Sequence, residues 1–259
     1  MNKAVFSYTF LRLAQPSTII NMVFFVLAIP TYCVIQLNQA SDAPVDFGPI
    51  ISLAISPIVS MAIAFLFVGS SIGNTKSLDD GEYLSLLFSR PLSRASYIFS
   101  KWIAGSILIF ALIGLQILYF FFLLYMIGRG AQCSIGLTDI VNLFLNSLGA
   151  AGLVVMINAF PAKVGLTIFG ALGYCSFIAP MMFGLIPGST SFLGGEVYKA
   201  IEFFCNILRS FIYSPIDVNV YLNSVKIFWL SAFAYVSNIA LYLWIAVTVI
   251  NKREFFYTN

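Results

Sequence analysis

Residues 77–102 read SLDDGEYLSLLFSRPLSRASYIFSKW and place three acidic and three basic side chains in one short stretch. The rest of the chain is strongly apolar: 60% of all residues are hydrophobic, 9% are charged, and the mean hydropathy is +0.96. Soluble domains carry about 25% charged residues. The composition therefore predicts a multi-spanning membrane protein, in which the charged stretch lies at a membrane surface.

The long apolar runs predict an all-α protein with six transmembrane helices, since one span needs about 20 residues. The first run is longer than the apolar core of a signal peptide, about 7 to 15 residues, and it contains Pro30, which favours a retained helix. We expect residues 1–259 to form a single transmembrane domain. Its expected spans lie at about 18–37, 50–72, 102–127, 140–160, 164–187 and 226–250.

Basic residues are unevenly distributed between the two sets of predicted loops. If both termini lie inside, nine of the 13 lysine and arginine residues fall in cytoplasmic segments, as the positive-inside rule requires. We therefore expect cytoplasmic N and C termini and a multi-pass protein of a bacterial-type cytoplasmic (inner) membrane. Apolar side chains recur with a helical period over residues 194–212, which predicts an amphipathic segment on the outer surface.

Several function classes lack their chemical basis in this sequence. There is no histidine, and the four cysteines form no CxxC pair, so a Ser-His pair, histidine metal ligands and the usual cysteine spacing of zinc sites are missing. The interiors of the predicted spans carry no charged residue, although ion-coupled carriers commonly place carboxylates there. The small net charge of +3 argues against nucleic-acid binding. The glycines and the lysine of residues 69–77 do not have the spacing of a phosphate-binding loop, so this stretch does not indicate an ATP site. We expect a non-catalytic chain that binds no cofactor or metal itself.

The charged stretch has the pattern of two helices joined by an elbow. Ser77 can cap the first helix, with acidic residues in its first turn, where the exposed amide groups favour negative charge. Pro91 stops that helix, and Ser93 can cap a second one that runs through Lys101 into the third span. We expect a cytoplasmic elbow over residues 77–101, serving either as a linker anchored to lipid or as a docking surface.

Residues 81–94, GEYLSLLFSRPLSR, followed by Lys101 before a span, resemble the signature of type 2 ABC exporter permeases. In that family an acidic, glycine-containing run leads into Leu-Leu, then Pro-x-Ser-Arg, and then a lysine at the start of the third helix. The plan of six helices with cytoplasmic termini and a basic motif after the last helix is also similar. Glu82 and Tyr83 stand where many members have a Gly-Thr pair, a departure that leaves the cargo unidentified.

The resemblance implies a permease subunit that pairs with a second permease copy or paralogue and with separate ATP-binding-cassette ATPase subunits. Those ATPase subunits would bind ATP and Mg²⁺. Residues 79–94 would form the coupling helix, with a plausible second contact at Pro161 and Lys163. The residues expected to couple this chain to the ATPase are Glu82, Tyr83, Leu86, Leu87, Phe88, Arg90, Pro91 and Arg94.

Two predicted spans carry small side chains at every fourth position, which places them on one face of each helix. Such faces favour close helix packing, and they could also line the permease dimer or the cargo path. They comprise Ser52, Ser56 and Ser60 in the second span, and Ala171, Cys175 and Ala179 in the fifth.

Two other functions are compatible with the sequence. One is a membrane scaffold or assembly subunit whose elbow docks a cytoplasmic partner without ATP hydrolysis. The other is a gradient-driven carrier, because backbone carbonyls can bind sodium without a membrane carboxylate.

Overall fold

The computed structural model describes residues 5–7, 16–40, 56–65, 93–127, 135–160, 162–173, 199–200, 203–205, 207, 216–218 and 224–253. These ranges contain helices and no strand, which confirms the all-α prediction for this part of the chain. The main helices are α1 (Pro16–Ala40), α2 (Pro57–Ile63), α3 (Arg94–Met126), α4 (Leu137–Ala159), α5 (Ala162–Gly173) and α6 (Val225–Arg253).

Three of these helices are long and apolar enough to cross a membrane, namely α3, α4 and α6. They contain 33, 23 and 29 residues, whereas a span needs about 20. Helix α1 has 25 residues with Pro30 inside it, and its apolar part covers Ile20–Tyr32. The described helices thus have the character of a membrane-embedded protein.

The predicted spans differ in how much of each is described. Helices α1, α3, α4 and α6 cover most of the first, third, fourth and sixth predicted spans. The second span is described only over residues 56–65, and the fifth only over 164–173. Residues 77–92 of the elbow lie outside the described residues, as does most of the outer segment 194–212. The count of six spans therefore stays a prediction.

Helix α3 begins at a serine cap. Ser93 has an extended backbone conformation, and its Oγ accepts a hydrogen bond from the backbone N–H of Ser96 at 3.3 Å. This bond satisfies one of the amide donors left free in the first turn of a helix. The helix continues through Lys101 to Met126, so the cap and the helix after it agree with the sequence prediction.

Helix α4 is the central helix of the described bundle. It contacts α2, α3, α5 and α6, and 67% of its apolar part is buried, compared with 33% for α3 and 22% for α6. Small residues let its neighbours approach. A Cβ on Gly152 would stand 3.5 Å from the ring of Tyr242 and 3.6 Å from Nε1 of Trp102. Tyr242 of α6 and Trp102 of α3 therefore pack directly against this face of α4.

Aliphatic side chains make up most of the described interior, together with the buried rings of Tyr97, Phe120, Tyr235 and Tyr242, while both aromatic and aliphatic side chains are exposed on the outside of the bundle. Phe24 on α1 and Phe233 on α6 are 72% and 74% exposed. In hydrocarbon, which is as apolar as these side chains, such exposure carries no hydrophobic penalty. The largest fully buried side chains are Ile63, Ile98, Ile109, Ile113, Leu124, Leu153, Val5, Val154 and Val155.

Candidate functional site

The start of α3 and the end of α6 meet at one end of the bundle. Arg94 Nη1 donates a hydrogen bond to the backbone carbonyl of Asn251 at 3.3 Å and another to its side-chain Oδ1 at 3.1 Å. Because the first residue of α3 touches the last turn of α6, these ends lie on the same side of the bundle. The predicted topology requires this, since it places both on the cytoplasmic side.

The chemistry of a helix terminus accounts for the Arg94 contact. The last carbonyl groups of an α-helix have no partner within the helix and carry partial negative charge. A guanidinium group supplies several N–H donors in a fixed plane and stays charged. Arg94 therefore acts as a side-chain cap on α6, although it belongs to a different helix. We call the Arg94–Asn251 contact the α3–α6 latch.

The neighbourhood of the latch is basic and aromatic. Lys101 Nζ lies 4.5 Å from the ring centroid of Tyr97, within the range of a cation–π interaction. Trp102 Nε1 donates a hydrogen bond to the backbone carbonyl of Leu148 at 2.9 Å. The first turns of α3 are thus held by α6 on one side and by α4 on another.

Most of the expected coupling residues lie outside the described residues, and Arg94 is the exception. Among the second-contact residues, Pro161 also lies outside, and Lys163 belongs to the first turn of α5. Of the fifth-span residues, Ala171 is exposed on α5. The remaining expected site residues outside the described ranges are Glu82, Tyr83, Leu86, Leu87, Phe88, Arg90, Pro91, Ser52, Cys175 and Ala179.

Two serines of the small-residue face on the second span are described. Ser56 immediately precedes α2, and Ser60 lies within the helix with none of its surface exposed. The Oγ atoms of both, and Oε1 of Gln116 on α3, are buried and have no hydrogen-bond partner among the residues that the structure describes. An unsatisfied buried polar group costs about 1–3 kcal/mol. These three oxygens are therefore the costly polar atoms of the described interior.

We predict that Ser60→Ala leaves the free energy of unfolding unchanged or raises it by up to about 1 kcal/mol, because no hydrogen bond is lost. Ser100→Ala is the control, since Ser100 Oγ donates to the backbone carbonyl of Ser96 at 2.7 Å. Alanine raises helix propensity at both positions, so the difference isolates the hydrogen bond. Thermal unfolding in detergent measures it. A larger loss of stability for Ser60→Ala would show that the Ser60 hydroxyl has a partner.

At the opposite end of the bundle, an amide side chain of α4 forms hydrogen bonds with residues that precede α6 in the sequence. Asn142 Nδ2 donates to Oδ1 of Asp217 at 2.8 Å, and Asn142 Oδ1 accepts from the backbone N–H of Val218 at 2.8 Å. We call this contact the Asn142 clasp. Neither Asn142 nor Asp217 belongs to a motif that the sequence analysis identifies. Their separation of 75 residues leaves no sequence signal for the pairing.

Cys205 is a buried free thiol. In the ranges that the structure describes, no group of three or more His, Cys, Asp or Glu side chains is arranged to hold a metal ion. The chain matches no protein-family model, no curated protein and no solved structure. The resemblance to type 2 exporter permeases therefore rests on residues 81–94, on Lys101 and on the predicted topology.

Proposed function

We propose that this chain is the transmembrane permease subunit of an ATP-binding-cassette exporter. It would form one six-span domain with cytoplasmic termini in a bacterial-type inner membrane. It would pair with a second permease copy or paralogue and with separate ATPase subunits, and it would move an unidentified cargo using ATP hydrolysed by those subunits. The observation that carries the proposal is the signature at residues 81–94 with Lys101 after it.

The geometry of α3 supports the proposal. Ser93 caps the helix two residues after Pro91, so a helix docked on the ATPase would connect directly to a membrane-spanning one. The 33 residues of α3 form one continuous helix, about 50 Å long at 1.5 Å per residue. A displacement at Arg94 would therefore reach the far side of the membrane through a single rigid element.

The polar groups inside the described bundle bear on the cargo. They are neutral hydroxyl and amide groups, such as Ser60 and Gln116. A strongly ionic cargo would find no side-chain counter-ion in the interiors of the predicted spans, and burying its charge in hydrocarbon would be costly. The proposed path is therefore suited to a cargo whose membrane-crossing part is uncharged.

We predict that Leu87→Asp weakens association with the ATPase about 30-fold, because a charge would enter an apolar anchor of the interface, where truncation costs about 2 kcal/mol. Arg94→Glu should lower permease-stimulated ATP turnover. The measurements are co-purification and ATP hydrolysis after co-expression with an ATP-binding subunit encoded by a neighbouring gene. Leu87→Met is the control, since it conserves apolar volume.

The outcomes separate the candidate functions. If neither Leu87→Asp nor Arg94→Glu changes association or ATP turnover, the coupling role is wrong. A stable complex with a cytoplasmic partner that hydrolyses no ATP would favour the scaffold function. Transport that an uncoupler abolishes, and that ATP depletion leaves unchanged, would favour a gradient-driven carrier.

A further inference from the structure

We infer that Arg94 is a positioning residue that couples the elbow to the last helix. Through the α3–α6 latch, a displacement of the elbow would move α6 together with α3 and the central helix α4. The inference rests on the proposed function for the source of the displacement. It adds a contact through which that displacement would reach α6 as well as α3, the helix that follows the elbow.

The position of Arg94 makes the latch a point of force transfer. Arg94 is the first residue of α3, next to the Ser93 cap and three residues after Pro91. Its guanidinium reaches Asn251, which is 157 residues away in the sequence. A push on the elbow therefore acts on both helix ends at once.

Contacts within the membrane region join the same three helices. Tyr235 OH on α6 donates to the backbone carbonyl of Leu145 on α4. A Cβ on Gly149 would stand 3.2 Å from the ring of Tyr235, so this aromatic side chain lies directly against the α4 backbone. Trp102 joins α3 to α4 through the carbonyl of Leu148. Helix α4 is thus bonded to both neighbours near the middle of its length.

The Asn142 clasp holds the other end of the same assembly. Asp217 and Val218 precede the start of α6 by several residues, and Asn142 binds both of them. Nearby Ile216 is buried in the main apolar cluster. Because α6 is bonded to α4 through Tyr235 and to α3 through Asn251, a movement of α3 without α6 would break hydrogen bonds. We expect α3, α4 and α6 to move as one body.

The first experiment tests the latch without any ATPase. Arg94→Gln in the full chain removes the guanidinium donor and should lower the thermal unfolding midpoint by about 2 °C. Asn251→Ala removes one of the two acceptors and should have a smaller effect. The double variant should be no less stable than Arg94→Gln alone, since interacting residues are not additive. Additive losses would overturn the latch.

The second experiment tests coupling. With an ATPase subunit from a neighbouring gene, Asn251→Ala should lower the kcat of stimulated ATP hydrolysis about fivefold. The KM for ATP and the co-purification of the subunits should stay unchanged, because Asn251 lies outside the elbow. Asn251→Asp keeps an oxygen acceptor for Arg94 and should retain stimulated turnover. Lys252→Ala removes a charge from the same helix end without removing either latch residue and should match the unmutated chain.

Each remaining result has a distinct meaning. Unchanged kcat in Asn251→Ala, with normal stimulation by the unmutated chain, would overturn this inference and leave the proposed function standing. Loss of co-purification in Asn251→Ala would also overturn it, by making Asn251 part of the subunit interface. If the unmutated chain stimulates no ATP hydrolysis, the proposed function fails and the coupling inference fails with it.

Discussion

Replacing Gly165 by alanine is expected to destabilise the protein by about 2–4 kcal/mol. A Cβ on Gly165 would stand 2.6 Å from the backbone carbonyl oxygen of Ile157 and 3.4 Å from its Cγ2. The nearer atom is backbone, at the end of α4, so no side-chain rotation can relieve the clash. Only Phe160 and Pro161 separate α4 from α5, so the two helices cannot move apart without opening the turn between them.

Gly170 supplies a matched control on the same helix. A Cβ there meets no atom within 4 Å among the described contacts, and alanine has the higher helix propensity. Gly170→Ala should therefore leave stability unchanged or raise it by about 0.5–1 kcal/mol. Thermal unfolding of both variants in the same detergent provides the comparison. Similar midpoints for the two variants would contradict the close approach of α5 to the Ile157 carbonyl.

Replacing Asn142 by leucine is expected to destabilise the protein by about 2–3 kcal/mol, the second-largest effect that we predict. Leucine has the same branched arrangement of four side-chain heavy atoms but neither donates nor accepts hydrogen bonds. The change would leave the Asp217 carboxylate and the Val218 N–H without their Asn142 partner. Asn142 is buried whereas Asp217 is exposed to solvent, so the expected loss comes mainly from the buried end of the contact and from the Val218 N–H rather than from the carboxylate.

Asp217→Asn is the control for the Asn142 clasp. It keeps a side-chain oxygen that can accept from Asn142 Nδ2, while it removes the charge. We expect it to lose less than half of the stability that Asn142→Leu loses. If Asn142→Leu unfolds at the same temperature as the unmutated chain, the clasp contributes nothing to stability, and the anchoring of residues 216–218 must come from the burial of Ile216.

The predicted helices agree best with the structure where local chemistry alone sets their limits. Helices α4 and α6 begin within three residues of the predicted spans, because apolar runs and their polar boundaries are properties of adjacent residues. Asp139 also contributes, since its Oδ2 accepts from the backbone N–H of Gly136 at 3.0 Å in the first turn of α4. The Ser93 cap is likewise local, because its partner is only three residues away.

The candidate site could be predicted only in part. Arg94 was singled out from the signature, where it was expected to couple this chain to an ATPase subunit. The structure adds the neutral oxygens of Asn251, a residue that carries no distinguishing motif. Ser60 was placed on a small-residue face by its spacing, whereas its complete burial depends on the helices around α2. Periodicity specifies which side chains share a face but does not specify what that face contacts.

The sequence by itself determined that this chain is helical and apolar enough for a membrane, and that a capped helix follows Pro91 into an apolar run. Those properties depend on composition, run length and hydrogen bonds between near neighbours. Only the tertiary structure decided that α4 is the central helix and that Arg94 caps α6. The tertiary structure also decided that Asn142 binds Asp217 and Val218. The physical reason is that each of these contacts joins residues 75 or more positions apart, or depends on which helices close around a glycine face.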